Sequence, residues 1–197
     1  MRLALYVGTF DPIHLGHILS VEIVREHLQF DKVVFVPSKH PPNKLRKSIT
    51  DGQHRLRMIE LSIEDNPYFE VSDVELQAED NISYTWVTID AFKQKYPEAD
   101  IYLLLGADTV YDLPNWQYLD KIVAACTIVG FQRGGEQDLC RREKPELGEG
   151  ARLILVDTPQ LEISSTDIRH RLSEGKTTRY MLHDKVLHYI KEHCLYE

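Results

Sequence analysis

Cysteine is scarce in this sequence: three residues in 197, Cys126, Cys140 and Cys194, an odd set with no CxxC pair. That excludes a disulfide framework and points to a reducing compartment. No apolar run is long enough to span a bilayer. The first residues offer one arginine and a short strand, too brief for the apolar region of a signal peptide. A cytoplasmic location with no membrane partner is therefore expected. Net positive charge is also missing: the formal charge is −8, which argues against indiscriminate nucleic-acid binding. Repeats and low-complexity linkers are absent, and 197 residues suit a single domain with a sizeable core. The positive charge that is present is concentrated. Lys39, Lys44, Arg46, Lys47, Arg55 and Arg57 face only Asp51 between Ser38 and Arg57. Such a stretch is either a site for small polyanions or a solvated loop and helix face.

Strand and helix signals alternate along the chain. Apolar runs at Leu3–Val7, Lys32–Val36, Ile101–Leu105, Thr127–Phe131 and Leu153–Val156 predict buried strands, and Tyr68–Val74 alternates like a half-exposed one. Helices are predicted over Ile18–Leu28, from a Thr50/Gln53 capping box to Glu64, over Ser83–Lys95 and Trp116–Ala125, from a Ser165 cap to Leu172, and over His183–His193. Gln132–Gly150 reads as a mobile loop. The pattern predicts an α/β fold: a Rossmann-like, doubly wound, mostly parallel sheet with helices on both faces. One domain over 1–197 is expected, with a C-terminal helical segment from about 165. In such sheets ligands lie beyond the carboxyl ends of the strands, where Gly8, Pro37, Gly106 and Pro159 should converge.

The most informative segment runs from Gly8 to His17, Gly-Thr-Phe-Asp-Pro-Ile-His-Leu-Gly-His. It joins a buried strand to a helix start, where an α/β protein holds a phosphate. His14 and His17 are three apart and share one helical face. The same residues could form a plain turn with Asp11 capping and Pro12 in the first helical position. A metal site lacks a third ligand at a recognisable spacing. Glycine, threonine, proline and two histidines at one helix entrance favour phosphate.

This segment resembles the signature of the HxGH nucleotidyltransferase superfamily. Ile163-Ser164-Ser165-Thr166-Asp167-Ile168-Arg169 is similar to that superfamily's distal ATP-binding segment, ISSTxIR. Further matches resemble the bacterial nicotinate mononucleotide adenylyltransferases: Val36-Pro37 with Pro41-Pro42-Asn43-Lys44, Ser83-Tyr84-Thr85, and Gly106-Ala107-Asp108 leading to Trp116. The chain departs from that family's pattern at Val7, where a second glycine is usual, at Asn43 in place of histidine, and at Val87.

The resemblance implies adenylyl transfer from ATP to the 5′-phosphate of nicotinate mononucleotide. Nicotinamide mononucleotide and phosphopantetheine are the alternative acceptors. It further implies that His14, His17 and Arg169 are catalytic, with His17 at the reacting phosphorus and Arg169 on the outer phosphates. Gly8, Thr9, Phe10, Gly106, Asp108, Ile163, Ser164 and Ser165 would complete the ATP site. Thr9, Lys44, Tyr84, Thr85, Asp108 and Trp116 would hold the mononucleotide, Trp116 by stacking on the ring. Mg²⁺ would arrive with ATP and need few fixed protein ligands.

Overall fold

The central strand, β1 (Arg2–Gly8), feeds two cores at once. Successive side chains on a strand point to opposite faces. Ala4 and Tyr6 accordingly enter one apolar cluster, and Leu3 and Leu5 enter the other. A strand buried on both faces reads as a continuous apolar run, which is how it shows in the sequence. The computed structural model describes residues 1–39, 49–78, 84–131, 144–159 and 161–197, without the side chains of Ala107 and Asp108.

From β1 the chain runs through α1 (Leu15–Leu28), β2 (Lys32–Pro37), α2 (Gly52–Ile63), β3 (Phe69–Val71), α3 (Val74–Gln77), α4 (Thr85–Lys95) and β4 (Asp100–Gly106). It continues through α5 (Ala107–Asp112), a 3-10 turn at Leu113–Asn115, α6 (Leu119–Ala125), β5 (Thr127–Phe131), β6 (Leu153–Val156), α7 (Ser165–Ser173) and α8 (Asp184–Glu192). The six strands lie in the order β3-β2-β1-β4-β5-β6, and every pairing is parallel. Parallel neighbours need crossover connections, which the helices supply. This is the doubly wound arrangement, with its switch in strand order between β1 and β4.

Several local expectations are corrected. The helix after β2 is capped by Asp51, whose side chain accepts from the Gln53 N–H, in place of the Thr50/Gln53 box; the nearer carboxylate captures the free donor. α1 begins at Leu15, ahead of Ile18 and without Pro12 in its first turn. The half-exposed strand is only three residues long and gives way to the single turn of α3. Trp116 ends the 3-10 turn and opens no helix. Ser164, not Ser165, caps α7 by accepting from the Asp167 N–H at 3.1 Å. Ser83, Cys140 and residues 132–143 of the expected loop lie outside the described residues.

Cys126 is a core residue whose thiol burial pushes its pKa up to about 12. No helix among the described residues is long and apolar enough to cross a membrane.

Candidate active site

Beyond the switch point the sheet parts. β1 stays paired with β2 up to Gly8↔Pro37, and β4 with β5 up to Gly106↔Phe131. Between β1 and β4 the pairing ends earlier, at Tyr6↔Leu104. A crevice therefore opens between the ends of the two central strands, flanked by Gly8 and by Gly106, the N-cap of α5.

The loop leaving β1 is shaped by Phe10, which takes a left-handed φ of 48°. Its buried ring lies edge-on to Tyr6 at 5.1 Å and to His17 at 5.3 Å. A side chain on Gly8 would collide with that ring, since a Cβ there falls 2.8 Å from Phe10 Cζ. His14 caps α1 in extended conformation, and its N–H donates to His17 Nδ1 at 3.3 Å. Accepting at Nδ1 leaves the proton of a neutral His17 on Nε2. The two imidazoles stack with centroids 3.6 Å apart and an interplanar angle of 26°. Gly16 makes that stack possible: a Cβ at this position would sit 3.0 Å from His14 Nδ1. Both histidines are buried, so their polar atoms act in a medium of lower dielectric than water.

The distal segment packs directly onto this loop. Ser165 Oγ donates to the Pro12 carbonyl at 2.9 Å. Arg169 Nη1 donates to the Asp11 carbonyl at 2.5 Å, and its Nη2 donates to Thr166 Oγ1 at 3.2 Å. Ile163 Cβ lies 3.6 Å from where a Gly16 Cβ would be. Residues more than 150 positions apart in the chain thus meet on the loop that leads to the two histidines.

Two residues not anticipated from the sequence as part of the site, Arg55 and Tyr196, hold this loop together with Asp11. Arg55 is 2% exposed, and it donates through Nη1 to the Thr9 carbonyl and through Nε to the Thr50 carbonyl, each at 2.8 Å. Burial lowers its pKa, while the charge of Asp11 acts in the opposite direction. The Tyr196 hydroxyl donates to Asp11 Oδ1 at 2.7 Å. Burial and the Asp11 charge raise the pKa of that phenol, so it remains a donor. In the sequence Arg55 is one member of a basic stretch, and nothing in its neighbours marks it as buried. Asp11 is visible there only as a turn residue.

Of the residues expected to hold the mononucleotide, Tyr84 is the N-cap of α4 and Thr85 its first residue. The Tyr84 ring meets Tyr118 edge-on at 5.3 Å, and Tyr118 lies 5.9 Å from Trp86. Lys121 Nζ stands 4.1 Å from the centre of the Trp86 ring. Trp116 is half-buried, with Nε1 donating to Asp112 Oδ2 at 3.3 Å. Asp108 lies in α5, its side chain undescribed, and Lys44 falls outside the described residues.

Comparison with known proteins adds four findings. Residues 5–171 match the cytidylyltransferase-like family model. A protein of Thermoanaerobacter sp. named "Probable nicotinate-nucleotide adenylyltransferase" is 39% identical over 203 residues, covering 100% of this chain and 95% of its own. A protein of Exiguobacterium sibiricum with the same name is 39% identical over 196 residues, covering 100% and 99%. In structure, the Plasmodium falciparum nicotinic acid mononucleotide adenylyltransferase complexed with NaAD superposes with a TM-score of 0.79 at 21% identity, covering 99% of this chain and 97% of that one.

Proposed function

The chain belongs to the cytidylyltransferase-like family and, within it, to the nicotinate-nucleotide adenylyltransferases, and from that premise we propose that it moves the adenylyl group of ATP onto the 5′-phosphate of nicotinate mononucleotide. The products are nicotinate adenine dinucleotide and pyrophosphate, and the setting is cytoplasmic NAD biosynthesis. Residues 1–197 act as one nucleotidyltransferase domain. The observation that carries this reading is the stacked His14–His17 pair following a loop whose Pro12 and Asp11 carbonyls are bound by Ser165 and Arg169.

The chemistry asks for alignment and charge stabilisation. A phosphate monoester has a second pKa of about 6, so the attacking group is mostly dianionic at neutral pH and needs no general base. An oxygen of the mononucleotide phosphate bonds to the α-phosphorus of ATP, and the bond to the β-phosphate bridging oxygen breaks. Its electron pair leaves with pyrophosphate. His17, protonated on Nε2, donates to the oxygens of the reacting phosphorus as charge builds there. Arg169 and the N–H groups at the start of α7 take the outer phosphates. His14 joins them at the start of α1. Gly106 and Asp108 meet the adenosine ribose. At the pyridine end the N–H groups opening α4 suit a carboxylate, Trp116 stacks on the ring, and Lys44 adds charge.

The donor set of imidazole, guanidinium and hydroxyl suits anionic oxygens better than a hard cation. Mg²⁺ bound to ATP would be held chiefly by the phosphates and would neutralise charge on the leaving group. No group of three His, Cys, Asp or Glu side chains among the described residues is arranged as a cage for an ion.

The test is a rate comparison with ATP, Mg²⁺ and three acceptors: nicotinate mononucleotide, nicotinamide mononucleotide and 4′-phosphopantetheine. The nicotinate compound is expected to give the highest kcat/KM, with dinucleotide and pyrophosphate formed in equal amounts. Preference for either other acceptor reassigns the substrate, and turnover of none removes the activity.

A further inference from the structure

Asp11 is held from two sides. Its side-chain Oδ1 accepts from the Tyr196 hydroxyl at 2.7 Å, across 185 positions of chain. Its main-chain carbonyl accepts from Arg169 at 2.5 Å. The residue is 3% exposed, and Oδ2 has no hydrogen-bond partner among the described residues. The Tyr196 contact is therefore the hydrogen bond that anchors a buried carboxylate, with the Arg55 charge acting on the same group. The adjoining carbonyl, Pro12, is bound by Ser165, and His14 follows two residues on. The charge of Arg169 also acts on the Tyr196 phenol. Tyr196, Asp11 and Arg169 thus form one connected group on the loop that leads to the histidines.

We propose that Tyr196 is a positioning residue for adenylyl transfer: by bonding Asp11 it fixes the loop that carries His14 and His17 and the carbonyl against which Arg169 is set. The proposal rests on the reading of the site as an adenylyltransferase. Tyr196 does not touch the substrates in this account, and its effect passes through Asp11. The ring of Tyr196 packs against the core cluster that contains Phe10 and Ile13. Its bulk therefore serves packing, and the hydroxyl serves the loop. Removing the hydroxyl alone leaves the packing intact and frees a buried carboxylate to draw the loop toward another donor.

Tyr196→Phe separates the two roles. A loop misplaced by a fraction of an ångström weakens contacts made at the transition state more than those made on binding, so kcat should fall by about tenfold or more while KM for ATP and for the mononucleotide moves by less than about threefold. Unchanged kcat with a lowered melting temperature would make Tyr196 a packing residue only and overturn the proposal. Asp11→Asn supplies the second arm. If both residues act through one bond, Asp11→Asn with Tyr196→Phe should lose little more than the worse single variant; fully additive losses contradict it. Amide hydrogen exchange provides a readout independent of turnover. Tyr196→Phe should speed exchange across residues 9–17 while leaving β4 and β5 unchanged, and an unaltered loop would refute the coupling. Should the unmodified protein turn over none of the three acceptors, the assigned activity fails, and the Tyr196–Asp11 linkage is judged by the exchange result.

Discussion

At the level of single residues, the proposed adenylyl transfer depends on which atoms can donate to the phosphates. His17 accepts the His14 N–H at Nδ1, so Nε2 is the atom left to donate. His17→Ala should lower kcat by about 10²–10³-fold, the usual effect of deleting one donor to a developing charge, while ATP binding weakens far less. Single-turnover rates and a nucleotide titration measure the two effects, and near-normal turnover would remove His17 from its role. The histidines, Ser165 and Arg169 could be picked out of the sequence because each falls in a short local pattern. Arg55 and Tyr196 could not. Their partners lie 46 and 185 positions away, and local spacing carries no sign of such pairings.

At the level of elements, the loop between β1 and α1 has little regular hydrogen bonding of its own and borrows it from others. α2 supplies Arg55, α7 supplies Ser165 and Arg169, and the segment before α8 supplies the Met181 carbonyl to the Leu15 N–H at 2.9 Å. Arg55→Met keeps much of the bulk but strips two carbonyls of a buried charged donor. It should destabilise the fold by about 3 kcal/mol, within the range for charged hydrogen bonds and disrupted buried charges. Urea denaturation checks this, and a change near zero would show that water replaces the guanidinium. The strands were legible because burial on both faces writes them as unbroken apolar runs. α3 was not, since four residues are too few to display a helical period. The cap of α2 is ambiguous in the sequence because Thr50 and Asp51 both carry capping side chains, and the fold uses Asp51.

At the level of the whole molecule, the strand order and the early end of β1–β4 pairing open a crevice at the end of β1, and α7 is bound to the loop that follows through Ser165 and Arg169. A ligand bridging that loop and α7 should stabilise the entire fold. With ATP at a hundred times its Kd the gain is about 2.7 kcal/mol, which for a domain of this size corresponds to a rise in Tm of about 5–10 °C. Differential scanning calorimetry reads that shift, and its absence would mean that nucleotide does not bind the native state. The alternation of strands and helices was enough to foresee the sheet. The separation of Trp116 from any helix was not foreseeable, because the 3-10 turn at Leu113–Asn115 has no apolar period to mark it.

The distant origin of the groups that secure residues 9–15 has a consequence for biosynthesis. A ribosome that has made only the first half of the polypeptide has already released both imidazoles, yet Ser165, Arg169, Met181 and Tyr196 do not yet exist. Setting of the β1–α1 loop must therefore come late, after translation has passed residue 196, and a stalled nascent chain would carry the two histidines on a loop that these distant groups do not yet hold.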